Sequence, residues 1–186
     1  MRKISEERKK ELVKTCPIIY REIVSGRCEK LEELIKEHDD YLEFALHHGF
    51  VKDAIEKNNL KALKVFLDAG VHPDSIAPDG VNQTLLWHAI GRRAYNSATF
   101  LLDAGADVNH TDNRIDGKGP SPLTSAASSG DLKMVKMLLE RGANIHYTYY
   151  YEDVGSEKLN ALKLAVMYEH HEVADYLRSL GAVVPE

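Results

Sequence analysis

Residues Ser121–Ala143 read SPLTSAASSGDLKMVKMLLERGA, a complete helix–turn–helix unit within one stretch. Ser121 offers a side-chain oxygen to the orphan amides of a helix start, and Pro122 takes the first helical position, where its missing N–H costs nothing. Ala126 and Ala127 leave a narrow helix face that a neighbouring backbone can approach closely. Gly130-Asp131 breaks this helix. Met134, Val135, Leu138 and Leu139 then recur as an apolar stripe at helical period. Gly142 supplies the left-handed residue that closes a helix. Helices this short cannot bury their apolar faces alone, so the unit predicts copies on either side.

The copies are present. Downstream, Asn160–Ala182 places Ala165, Val173, Leu177 and Gly181 where the first unit has Ala126, Met134, Leu138 and Gly142. Upstream, Thr84–Ala106 carries Ala89, Leu101, Leu102 and Gly105, and Phe50–Val71 carries Ala54, Leu63, Phe66, Leu67 and Gly70. The faintest copy is Pro17–Asp39, with Gly26 at the mid-turn and His38 in place of the closing glycine. His38, Gly70, Gly105, Gly142 and Gly181 are thus spaced by about 32, 35, 37 and 39 residues. A period of roughly 33 residues marks one class of helix–turn–helix solenoid.

The openings Ser121-Pro122-Leu123-Thr124-Ser125-Ala126-Ala127 and Thr84-Leu85-Leu86-Trp87-His88-Ala89-Ile90 resemble the ankyrin repeat family, as do the closing runs Leu101–Asn109 and Leu138–Ile145. The resemblance spans Pro17 to Ala182. It departs from the family pattern where Arg93 and Glu169 replace the usual mid-turn glycine, and no repeat keeps the full opening tetrad. It implies an all-α solenoid of about five helix–turn–helix repeats with long finger loops, preceded by a short N-terminal capping helix over residues 1–16. It also implies a non-catalytic protein-binding module whose fingers and first helices line a concave face.

Composition fits one body of 186 residues, 44% hydrophobic. No stretch approaches the roughly 20 apolar residues of a membrane span. The charged start, MRKISEERKKELVKTC, lacks the apolar core of a signal peptide, so a cytoplasmic protein is expected. Two cysteines, Cys16 and Cys28, then read as reduced structural thiols. A net charge of −5 argues against a nucleic-acid partner, because phosphate binding is dominated by Lys and Arg. It suits a basic protein partner, as does the acidic run from Glu29 to Glu43, which reads either as a solvated helix face or as a landing surface. Within residues 5–15, Leu12 and Val13, with Ile4 before them, are the apolar groups available to cover the end of the stack.

Chemistry-bearing motifs fall away in turn. His47-His48 and His170-His171-Glu172 lack the i, i+4 spacing that puts two ligands on one helix face. Asp112–Leu123 mimics a calcium loop, but Arg114 and Leu123 occupy ligand positions. No cofactor, metal site or catalytic triad is implied, and an enzyme is not expected.

The growing period must come from the loops, Val71–Gln83, Val108–Pro120 and Ile145–Leu159. The last carries Tyr147, Tyr149, Tyr150 and Tyr151. Tyrosine gives large contact area at low entropy cost and is enriched at binding hot spots. In an extended finger, Tyr147, Tyr149 and Tyr151 share one side and Tyr150 takes the other; any single ring is as well suited to packing the finger as to contacting a partner. The middle finger offers Asp112, Arg114, Asp116 and Lys118 for directed hydrogen bonds. The family geometry adds Glu56-Lys57, Gly91-Arg92, Ser128-Ser129 and Met167-Tyr168 from the first helices. Candidate partner contacts are therefore Tyr147, Tyr149, Tyr150, Tyr151, Asp112, Arg114, Asp116, Arg92 and Tyr168, with Trp87 reserved for packing between repeats. The expectation is a binder, monomeric when free, that occludes one protein target as an inhibitor or immunity-type protein does. The alternative is an adaptor bridging two proteins through separate surfaces.

Overall fold

A computed structural model of the chain describes residues 5–38, 40–76, 83–111, 119–150 and 157–185. Helix pairs follow one another along the sequence. After α1 (Glu6–Val13) come α2 (Cys16–Ser25) and α3 (Glu29–Glu37), then a connecting helix α4 (Tyr41–His47). The next pairs are α5 (Phe50–Glu56) with α6 (Leu60–Asp68), α7 (Leu85–Gly91) with α8 (Tyr95–Asp103), α9 (Pro122–Ser128) with α10 (Leu132–Glu140), and α11 (Ala161–Met167) with α12 (His171–Ser179). The first helices pack in the order α2, α5, α7, α9, α11, and the second helices flank them as an outer layer. The result is a helical solenoid of five repeats.

Local chemistry explains the helix starts. Thr84, Ser121 and Asn160 each accept a hydrogen bond from the amide three residues on, and Ser121 with Thr124 completes a capping box ahead of Pro122. Such caps contribute about 1 kcal/mol each. The mid-turns are left-handed in all five repeats, at Gly26, Asn58, Arg93, Gly130 and Glu169. Arg93 and Glu169 therefore take the glycine conformation, at φ 53° and 59°, although an L-residue there costs roughly 1–2 kcal/mol. His38 instead is extended, at φ −138°, and hands the chain to α4 rather than to a finger.

The core is one continuous cluster running through all five repeats. Ala54, Ala89, Ala126 and Ala165 are fully buried at matching positions of successive first helices, which lets the helices approach closely. Leu101, Leu138 and Leu177 fill the same position of successive second helices. At the N-terminal end, α1 rests on α4 through buried Leu12, through Arg8 reaching both oxygens of Asp40 at 3.0 and 3.2 Å, and through the Thr15 and Tyr41 hydroxyls. Val13 of α1 and Ile18, Tyr20 and Val24 of α2 stay exposed. Cys28 is buried and Cys16 half-buried, both as free thiols whose pKa burial pushes up.

Among the described residues, the loops before α7 and α11 pair their two arms. In the last, β1 (Tyr149–Tyr150) pairs antiparallel with β2 (Lys158–Leu159), and in the first a single bridge joins Ile76 to Thr84. Side chains link one finger base to the next. The Asp107 amide donates to Asp74 at 2.9 Å, and the Asn144 amide donates to Asn109 at 2.8 Å. Trp87 is buried and donates its indole N–H to the His110 carbonyl at 3.3 Å, so it packs between its repeat and the following finger, as read from the sequence.

Candidate partner-binding surface

The finger preceding α11 divides its tyrosines by the pleat. Tyr147 and Tyr149 lie on one side with rings stacked at 6.5 Å. That side faces the body. Tyr149 is 5% exposed and packs with Leu159 and Leu164 in a small satellite core. Tyr147 donates its hydroxyl to the Gly119 carbonyl at 2.8 Å, tying this finger to the preceding one, and burial pushes its pKa up. Tyr150 is 45% exposed on the opposite side. Tyr151, Asp112, Arg114 and Asp116 lie outside the described residues.

On the first helices, Val166, Met167 and Tyr168 of the last repeat are all exposed. Ile90 and Ala127 occupy the position of Val166 in the two preceding repeats and are buried beneath the next helix. Val166, Met167, Tyr168 and Tyr150 are thus the exposed large side chains of the last finger and the helix that follows it.

Arg92 belongs to a different group. Its Nη2 lies 2.8 Å from Glu56 Oε1, and His88 Nε2 lies 3.2 Å from the same oxygen, off-axis for a hydrogen bond. Burial, reinforced by the nearby Lys52 charge, lowers the His88 pKa, so the imidazole takes up its proton less readily in the folded protein than in the unfolded chain. Burial and then the Glu56 charge raise the pKa of Asp53 on the same helix face. This cluster between α5 and α7 was not legible from the sequence, because its members lie on different repeats. A test follows from His88. In the unfolded chain a histidine binds its proton near pH 6.5, and the folded protein resists until lower pH, so stability present above that value declines as pH falls through the window below it. The decline of the unfolding midpoint between pH 7 and pH 5 should be shallower in His88→Gln than in the unsubstituted protein. Identical profiles would refute the role of this side chain.

Other sequence candidates have local partners. His48 stacks on Phe44 at 4.0 Å, and its Nδ1 meets the Phe44 carbonyl at 3.0 Å. His170 packs its ring over Gly130 and contacts the Ser128 carbonyl at 3.0 Å. Among the described residues there is no group of three or more metal-ligating side chains, and no helix is long and apolar enough to cross a membrane.

Known proteins agree with this geometry. The model of ankyrin repeats in three copies matches residues 50–149 and 111–185. The chain is similar to an E3 ubiquitin-protein ligase of Caenorhabditis elegans, 31% identical over 135 residues, which cover 73% of this chain and 5% of that protein. It is similar to a putative ankyrin repeat protein of fowlpox virus, 31% identical, over 64% of this chain and 29% of that protein. A putative ankyrin repeat protein of Rickettsia bellii is 28% identical, over 62% of this chain and 45% of that protein. The chain thus spans less than half the length of each of these relatives. Ankyrin repeats are protein–protein interaction modules and generally non-catalytic. Repeat architecture, left-handed mid-turns, hairpin fingers and the matched family model all converge: the chain belongs to the ankyrin repeat family.

Proposed function

We propose that this module binds one protein target and blocks it by occupying its surface, in the manner of an inhibitor or immunity-type protein. The observations that support this most are the exposed Tyr150, on a finger anchored by Tyr147 and Tyr149, and the exposed Val166, Met167 and Tyr168 at the end of α11. A preformed surface binds with little ordering cost, and tyrosine is suited to its centre. The net charge of −5 favours a basic target, and the free thiols favour a cytoplasmic setting in which the module is monomeric until it meets that target. Tyr151, Asp112, Arg114 and Asp116 extend the surface along the fingers in this reading, and Arg92 marks its far end.

The test is affinity capture with the tagged protein beside Tyr150→Ala/Tyr168→Ala and, separately, Tyr149→Ala. The double variant should lose a single stoichiometric partner while melting at an unchanged temperature, since both side chains are exposed. Tyr149→Ala should lower the melting temperature, by removing the centre of the satellite core. A partner retained by the double variant would refute this surface. Recovery of two partners that depend on different surfaces would instead favour an adaptor, a reading supported by the separation of the acidic α3 face from the Tyr150 finger.

A further inference from the structure

Four boundaries separate the five repeats, and side chains just after the mid-turns close three of them. Asn59 donates to the Ile23 carbonyl at 2.9 Å, joining repeat two to repeat one. Asp131 receives the Tyr95 hydroxyl at 3.1–3.2 Å, and Arg93 Nη2 donates to the Ser129 carbonyl at 2.9 Å, joining repeats three and four. His170 reaches the Ser128 carbonyl, joining repeats four and five. Asn59, Asp131 and His170 each follow the left-handed residue directly. At the boundary between repeats two and three the same position is Ala94, which has no polar group to offer, and the bridges come from elsewhere: the Ser97 hydroxyl donates to the Ile55 carbonyl at 3.4 Å, and Arg92 and His88 meet Glu56.

A cleft of about 390 Å³ opens there. Glu56 and Asn58 line it from repeat two, Arg92, Arg93 and Ala94 from repeat three, and Lys133 from repeat four. Three cations line it, Lys133 with its ammonium 4.2 Å from the centre of the Tyr95 ring. The carboxylate of the lining, Glu56, is in contact with Arg92 and His88, and Asp131, which Arg93 approaches at 3.7 Å, is held by Tyr95 and by the Met134 amide. Both guanidinium groups remain more than half exposed, at 58% and 57%. This local excess of positive charge runs against the sign of the whole chain.

We propose that the cleft is a second binding site, for a short acidic segment of a protein partner whose carboxylate seats between Arg92, Arg93 and Lys133. Guanidinium forks pair with a planar carboxylate through two parallel hydrogen bonds. Asn58 and Asn96 at the rim suit the peptide backbone on either side. A nucleic acid fits less well, because a polyphosphate needs cations spread along its track and is repelled by the net charge of the module. The site lies on the mid-turn edge and shares Arg92 with the end of the surface proposed above, but none of its lining belongs to the Tyr150 finger.

The experiment is fluorescence anisotropy at low ionic strength, with a labelled glutamate-rich peptide, its glutamine counterpart and a single-stranded DNA oligonucleotide. The glutamate peptide should bind, and its Kd should rise at least about ten-fold (1.4 kcal/mol) in Arg92→Gln/Lys133→Gln while staying within about two-fold of the parent in Lys64→Gln on α6. Ala94→Asn is the second variant: it removes no charge and sets a side chain like that of Asn59 at the wall of the cleft. It should raise the melting temperature, as a better N-cap for α8, and weaken peptide binding by narrowing the cleft. Equal binding of the glutamine peptide, unchanged affinity in Ala94→Asn, absence of binding to the parent, or tighter binding of the DNA would each overturn the proposal. Loss of peptide binding in Tyr150→Ala would also overturn it, by moving the site to the finger.

Discussion

Gly130→Ala should lower the unfolding free energy by about 3 kcal/mol, measured as a shift of the urea midpoint at constant slope. Two effects add. Gly130 sits at φ 66°, where an alanine costs roughly 1–2 kcal/mol. A Cβ at this glycine would also stand 2.5 Å from Nδ1 and 2.8 Å from two ring carbons of His170. The imidazole would have to leave, giving up its contact with the Ser128 carbonyl and the seal between repeats four and five, and overpacking of this kind costs about 1–3 kcal/mol. A second substitution separates the two effects. In a His170→Ala background the steric part vanishes, and Gly130→Ala should cost only the backbone part. Equal penalties in both backgrounds would exclude the ring contact as a cause.

Asp131→Ala is the second large effect, expected at about 2–4 kcal/mol from the lost helix cap and the stranded partners. The carboxylate is buried and accepts the Met134 amide at 3.0 Å from its own helix and the Tyr95 hydroxyl from the preceding repeat. Tyr95→Phe removes the other side of that contact. Because a hydroxyl left facing no acceptor costs more than a pair removed together, Asp131→Ala/Tyr95→Phe should fall short of the sum of its single variants. Strict additivity would show that the Tyr95–Asp131 bond carries no coupling.

Much of the scaffold can be read from residue spacing alone. Glycine at 130 marks the mid-turn, and counting from it places Arg93 and Glu169 in the same left-handed conformation despite their side chains. The capping of α9 follows from Ser121-Pro122, and the close packing of the first helices from Ala126 and its counterparts. The finger was legible only by halves. Alternation separates Tyr150 from Tyr147 and Tyr149, but which side faces inward is decided by Leu164, a residue of the next helix. The cluster of Glu56, His88 and Arg92 and the bond from Arg93 to Ser129 join different repeats, and one-dimensional periodicity carries no sign of such partners. Ala94 is the same kind of case: an ordinary alanine in the sequence, and distinctive only once Asn59, Asp131 and His170 are seen bridging from the same position while Ser97 and Arg92 bridge at its boundary.

Those bridges share a reach. Asn59 to Ile23, Tyr95 to Asp131, Arg93 to Ser129 and His170 to Ser128 each tie a repeat to its immediate neighbour. Energy in such an array is passed hand to hand, and a perturbation fades with each repeat it crosses. Two ligands seated at opposite ends of the module would therefore be near-strangers thermodynamically, each binding as if the other were absent, and any cooperativity between them would have to arise in the partners rather than in the protein that holds them.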